Sequence, residues 1–218
     1  MKVELIDSAG GDLSVVNSAR VSFAKKVIDM DTNDVKLIRY LAKHHHDTPF
    51  RHNFIQLRCQ VPLFLARQLM KHQAGLTWNE ESRRYIDSVP EFYQPKEWRG
   101  RPDGSIKQGS SEESVYTLTM CSGSIMLTRE AYNRHITKSI NLYEDMLSNG
   151  IAPEMARMVL PQSMMVNFIW SGNLLAFYHV YKLRSGEGAQ QEAIEFAKLL
   201  KEAIEPKFPI SWDSLETR

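Results

Sequence analysis

Apolar and polar residues alternate over positions 53–61. Ile55, Leu57, Cys59 and Val61 share one side, while Gln56, Arg58 and Gln60 share the other. A period of two is the mark of a half-buried strand. Most of the chain instead shows helical spacing. Val35, Ile38, Leu41 and Ala42 predict a helix over 34–44 with Asn33 as its N-cap. Tyr132, Ile136, Ile140, Tyr143 and Leu147 predict the longest helix, 125–148, stopped by Asn149-Gly150. Ala189, Ala193, Ala197, Leu200 and Ile204 form the inner stripe of a last long helix, capped by Ser185 and ended by Pro206. Shorter helices are expected over 14–26, 153–159 and 172–183. Residues 3–6 suit an opening strand. Residues 164–170 are apolar enough for a buried strand, with a helix as the alternative.

Pro62 stands where a helix favours its first proline, and Gly75 where it favours a terminal glycine. Between them Leu63, Ala66 and Met70 make a buried stripe, and Arg67, Gln68, Lys71 and His72 share another side. Residues 90–124 are rich in Gly, Pro, Ser and Lys and predict a long loop excursion. Many helices with few strands give a single α+β domain over 1–218, a small antiparallel sheet packed by long helices. No internal repeat is present.

Composition narrows the function. With 43% hydrophobic and 24% charged residues, the chain is ordinary for a globular protein. A net charge of +1 argues against general nucleic-acid binding. No C-x-x-C pair exists, so a thiolate zinc site is not expected. Glu4 and Asp7 interrupt the N-terminal apolar run, which is no signal peptide. No stretch approaches the roughly eighteen apolar residues of a membrane span. A soluble, cytoplasmic protein with no metal is expected.

Against that neutral background, residues 67–85 carry four cations (Arg67, Lys71, Arg83, Arg84) beside His72, Glu80 and Glu81. Fixed planar donors at this density suit a phosphate or another oxyanion. A solvated helix face is the plainer alternative, but Trp78 and Tyr85 beside the arginines suit a ring-bearing ligand. The triplet His44-His45-His46 is no metal cluster on a helix, because successive side chains point about 100 degrees apart. Cys59 and Cys121 have no basic partner in sequence and are expected to be inert thiols.

The run Asn79-Glu80-Glu81-Ser82-Arg83-Arg84-Tyr85 resembles the N-E-x-S-x-R-Y end of the flavin-dependent thymidylate synthase motif. Leu183-Arg184 followed by Ala189-Gln190 and Glu192 resembles that family's L-R…A-Q-x-E segment, and residues 19–23 and 47–50 also look like family segments. Two departures stand out. Lys71-His72-Gln73 replaces R-H-R, and one extra residue lies before Asn79. Lysine keeps the charge but loses the bidentate fork, and glutamine keeps only a donor.

The resemblance implies a reductive methylation of deoxyuridine monophosphate (dUMP) to thymidine monophosphate. Its cofactors would be FAD, NADPH and methylenetetrahydrofolate, in a homotetramer with shared active sites. Carried over by position, it implies that Gln68, Lys71, Glu80, Glu81, Ser82, Arg83, Arg84, Arg157 and Arg184 bind dUMP. Thr48, Lys71, His72, Gln73, Glu80, Asn173 and His179 would line the FAD site, with His46 near the reacting rings. Arg184 would be catalytic, stabilising negative charge on uracil N3 and O2, aided by a helix N-terminus at Ser185. No glycine-rich dinucleotide loop is present, consistent with FAD lying between subunits. The competing reading is a non-catalytic nucleotide or single-stranded nucleic-acid binder, stacking bases on Trp78, Tyr85 and Trp98. A homologue that binds flavin without turnover is the third.

Overall fold

Ile55, Leu57, Cys59 and Val61 are all fully buried, so the alternation read from the sequence marks the inner face of strand β2 (Phe54–Pro62). In the computed structural model, which describes residues 1–86, 88–102 and 109–218, β2 lies inside a four-stranded sheet. The other strands are β1 (Lys2–Ala9), β3 (Leu76–Glu80) and β6 (Met165–Gly172), in the order β1-β2-β6-β3. β1 runs antiparallel to β2 from Lys2↔Gln60 to Ala9↔Phe54, with a bulge between Leu5 and Asp7. β3 runs antiparallel to β6 and sets Trp78 opposite Trp170.

The chain forms two compact units. The first comprises Met1–Gln60, Arg67–Glu80 and Asn167–Arg218. Its helices are α1 (Asp12–Arg20), α2 (Thr32–Lys43), α6 (Leu174–Arg184), α7 (Gln191–Ile204) and α8 (Pro209–Glu216). The core is strongly aromatic. Trp78 stacks on Phe168 with ring centroids 3.5 Å apart, and Trp170 meets Phe177 edge-on at 5.4 Å. Asp12 Oδ2 and Oδ1 accept the Ile210 and Ser211 N–H groups at 2.9 and 2.8 Å. A carboxylate there satisfies donors that the first turn of α8 cannot pair internally.

The second unit comprises Val61–Ala66 and Glu81–Val166. It is built on α4 (Thr128–Ser148), followed by the short α5 (Pro153–Ala156) and a 3-10 turn, Arg157–Val159. A small hairpin pairs β4 (Thr117–Thr119) with β5 (Ile125–Leu127). Tyr132 donates its hydroxyl to Tyr93 O at 2.6 Å, fixing part of the excursion against α4. α3 (Leu63–Leu69) runs from this unit into the first.

The α+β architecture and the antiparallel sheet match expectation; several local assignments do not. The helix expected to run to Gly75 stops at Leu69. Its buried residues are Leu65, Ala66 and Leu69, while Met70 is 44% exposed, so Lys71 and His72 lie on a turn and share no helix face with Arg67. α2 starts at Thr32 and is capped by Asp31, whose side chain accepts the Asn33 and Asp34 N–H groups. The cap is therefore a carboxylate two residues before Asn33. α4 begins at Thr128 because Ile125–Leu127 is spent on the hairpin. The first helix leaves α geometry at Arg20, and Ala24 turns left-handed at φ 53. The excursion over 90–124 also holds isolated bridges, Phe92↔Met164 and Arg99↔Ser114; its residues 103–108 lie outside the described residues.

One contact fixes the end of the sheet. Gly75 adopts φ +75, and a Cβ on Gly172 would meet Gly75 O at 2.4 Å. Gly172→Ala is therefore expected to destabilise the fold by about 1–3 kcal/mol through overpacking against backbone, read as a lower urea midpoint. An unchanged midpoint would show that the strand end yields freely.

Candidate functional site

The most informative side chain is Arg184, the last residue of α6 and half-buried. Its Nε donates to His72 Nε2 at 3.1 Å, and its Nη2 donates to Gln68 O at 2.9 Å. Both acceptors are neutral, and among the described residues no carboxylate pairs with this guanidinium. Burial pulls its pKa below the ordinary value. A half-buried cation without a counter-ion is costly unless an anion completes the site. The last turn of α6 lowers part of that cost, because a helix C-terminus favours positive charge.

This location corrects one expectation. No helix begins at Ser185; that residue is the C-cap of α6, and α7 starts six residues later at Gln191. The positive end of a helix dipole therefore does not adjoin Arg184 in sequence. Gly186 and Gly188 lie in the intervening turn, and Gly188 has positive φ, which breaks the helical run.

Gln68 extends the cluster. Its Nε2 donates to Gln190 Oε1 at 2.7 Å, and Gln190 Nε2 donates to Glu192 Oε2 at 2.8 Å. Glu192 is 4% exposed. In the sequence Gln190 and Glu192 stand only as part of a motif; the hydrogen-bond chain gives them a place in the site.

The expected flavin residues Thr48, Lys71, His72, Gln73, Glu80, Asn173 and His179 all belong to the first unit. Lys71, His72 and Gln73 occupy the turn between α3 and β3. Asn173 caps α6 by accepting the Ala176 N–H, and its amide nitrogen lies against Gly75. His179 lies on α6. Burial first, then the Arg184 and His179 charges, hold the His72 imidazole below its ordinary pKa of 6.5. Burial likewise lowers His179, helped by Arg218 and opposed by Asp47.

Thr48 and His46 line a cavity of about 1050 Å3 in the same unit, together with Arg20, Phe23, Tyr40 and Arg51. Its volume suits a large ring-bearing ligand. Phe23 and Val21 on its wall are 76% and 71% exposed. The Arg20 guanidinium is already paired with the buried Asp34 carboxylate. Arg218 donates to Asp47 Oδ1 at 2.7 Å and braces that wall. His44 caps α2 and His45 is left-handed at φ 55. Among the described residues, no group of three His, Cys, Asp or Glu side chains could hold a metal ion.

The remaining expected nucleotide residues, Glu81, Ser82, Arg83, Arg84 and Arg157, belong to the second unit. Ser82 Oγ accepts from the Arg84 N–H at 3.3 Å and from Arg84 Nε at 3.4 Å. The Arg84 guanidinium lies 5.0 Å from the Tyr85 ring centroid. Arg83 donates to Ser88 O, and Arg157 Nε donates to Glu154 O at 3.2 Å. Phe168 covers one face of Trp78; Trp98 packs edge-on against Tyr132 at 5.0 Å. Cys59 is buried, which pushes its thiol pKa up, whereas Cys121 is exposed. Among the described residues, no helix is long and apolar enough to cross a membrane.

Residues 4–210 match the family model described as "Thymidylate synthase complementing protein". The flavin-dependent thymidylate synthase of Thermus thermophilus is 32% identical over 219 residues, covering 98% of this chain and 75% of that protein. The one from Thermosipho melanesiensis is 34% identical over 212 residues, covering 97% and 89%. Among solved structures, the UMP/dUMP methylase PolB from Streptomyces cacaoi, bound with 5-Br dUMP, superposes with a TM-score of 0.82. It is 30% identical, and the match covers 99% of this chain and 94% of that one. PolB bound with 5-Br UMP gives a TM-score of 0.77 at 26% identity.

The His72–Arg184 contact carries a pH signature. His72 accepts the Arg184 proton only while neutral, and its folded pKa lies below the unfolded 6.5. Its contribution to stability is present above pH 6.5 and lost as pH falls through the lower folded value. His72→Gln, which keeps an acceptor but cannot titrate, should flatten part of the fall in melting temperature between about pH 7 and 5. Parallel wild-type and variant profiles would remove His72 from that dependence.

Proposed function

Because the chain belongs to the thymidylate synthase complementing protein family, the family of the flavin-dependent thymidylate synthases, we propose that it methylates dUMP to thymidine monophosphate. The observation that carries the proposal is Arg184: a half-buried guanidinium held by two neutral acceptors and left without a carboxylate. Such a group is prepared for negative charge that develops on a bound ring. In the net reaction the C5 proton of uracil leaves, the methylene carbon of methylenetetrahydrofolate bonds to C5 as its bonds to the two folate nitrogens break, and tetrahydrofolate departs. A hydride equivalent, originating in NADPH, completes the methyl group.

The residues of this chain orient and polarise. Arg184 donates toward uracil O2 and stabilises the anionic ring as C5 becomes nucleophilic. Gln68, with Lys71 and Glu80, positions the nucleotide beside it. Glu81, Ser82, Arg83, Arg84 and Arg157 supply further nucleotide contacts, with Arg84 and Arg157 suited to phosphate.

The donor set of the first unit fits a flavin: a cavity lined by Thr48, His46, Phe23 and Tyr40 in one segment, and the Lys71-His72-Gln73 turn with Asn173 and His179 in another. Thr48, Lys71, His72, Gln73, Glu80, Asn173 and His179 would hold it. FAD, when bound, supplies the redox chemistry that the protein's own side chains lack. Exposed Val21, Phe23 and Ile28 give apolar area that a homotetramer with shared sites would cover. The name of the Streptomyces cacaoi relative makes UMP the second substrate to test.

Freshly purified protein is expected to be yellow and, with the flavin reduced, to release tritium from C5-labelled dUMP. Colourless protein that takes up no FAD would refute the assignment, and release from UMP alone would move it to the ribonucleotide. Arg184→Ala should retain flavin absorbance and lose about a hundredfold or more in methylation. Unaltered turnover in that variant would exclude Arg184 from the chemistry.

A further inference from the structure

Glu192 sits in the first turn of α7, buried, and its carboxylate can only accept hydrogen bonds. Gln190 meets it with its amide nitrogen, Nε2 to Glu192 Oε2 at 2.8 Å. The oxygen end of the same amide must then face away from Glu192, and it receives Gln68 Nε2 at 2.7 Å. Gln68 is thereby committed to donate along this chain. Its own Oε1 holds no hydrogen bond among the described residues. A single buried carboxylate thus dictates which end of an amide two links away is left for a ligand.

The main-chain carbonyl of Gln68 also receives Arg184 Nη2 at 2.9 Å. Residues 68 and 184 therefore present an amide acceptor and a guanidinium donor from linked groups. That pairing matches a uracil edge, where the N3–H donor is flanked by carbonyl acceptors. It mismatches cytosine, whose N3 is a lone pair that would face the Gln68 oxygen.

We propose that Gln190 and Glu192 are specificity-positioning residues that lock the Gln68 amide so that its oxygen accepts from uracil N3–H and rejects cytosine. The assignment deepens the nucleotide-site reading given above and rests on it. A site that commits buried polar groups to one hydrogen-bond pattern discriminates far better than an apolar pocket does, because the wrong base leaves those groups unpaired.

The test is equilibrium binding of dUMP and dCMP to the FAD-loaded protein, in the wild type, Glu192→Gln and Glu192→Asp. Glutamine at 192 can present either end and releases the constraint; aspartate keeps an acceptor. Wild type should favour dUMP by about a hundredfold or more. Glu192→Gln should reduce that ratio by about tenfold or more, mainly by gaining dCMP affinity, and Glu192→Asp should restore most of it. General loosening would weaken both nucleotides together and leave the ratio alone. A folded Glu192→Gln protein with an unchanged ratio overturns the proposal. Should that variant not fold, Gln190→Ala is read by the same ratio, with the same two outcomes. Failure of the wild type to bind any uracil nucleotide would instead sink the reading of the site itself.

Discussion

A half-buried guanidinium given no carboxylate is the constraint around which the polar cluster of the first unit is arranged. Arg184 closes α6, His72 lies on the turn after α3, and Gln68 lies within α3. Three segments distant in sequence must be held together for both of its contacts to exist. β2 and β6 supply the rigid frame between them, and the aromatic stack of Trp78, Phe168 and Trp170 fixes the strand that follows the turn. Preorganisation here is a matter of packing: the polar groups are few, and the side chains beneath them are fully buried.

The charge arrangement also explains why a chain of net charge +1 can serve an anionic ligand. Several partly buried cations are answered locally. Arg20 faces Asp34, Arg218 faces Asp47, and Lys201 faces Glu216. Those pairs brace structure and cancel one another at a distance. Arg184 is set apart because its partners are a neutral imidazole and a carbonyl. Local field without global field favours recognition of one small anion over adsorption to a polyanion.

Much of the fold was legible from periodicity. The inner face of β2, the stop of α4 at Asn149-Gly150 and the helical character of α6 and α7 follow from spacing and caps. Other features were hidden for identifiable reasons. β3 alternates Leu76, Trp78 and Glu80 against Thr77 and Asn79, but its charged and amide residues resemble a loop. Gly75 looked like a helix stop, yet the chain had left the helix at Leu69, and the glycine serves a left-handed turn into the strand. α8 begins at Pro209, close behind Pro206, so proline punctuation concealed a helix whose N-terminus is paired by distant Asp12. Gln68 and His72 stand out within the cation-rich run, whereas the role of Arg184 is reachable through family resemblance only. No local pattern indicates that a residue at 184 will donate to one at 72, because that contact depends on sheet order and helix register.

The close approach of Gly75 and Gly172 bears on how this sequence can tolerate length change. The Asn173 amide crowds Gly75 and the Gly75 carbonyl crowds Gly172, so the segment from Gly75 onward has no slack for an inserted residue without shifting strand register. Met70, Lys71, Gln73 and Ala74 are exposed and can bulge outward. The one-residue excess over the family pattern is thus most cheaply absorbed on the N-terminal side of the crowded pair. Lineages that lengthen or shorten this stretch would be steered to alter the reach of the Lys71-His72-Gln73 turn while leaving the strand it leads into untouched.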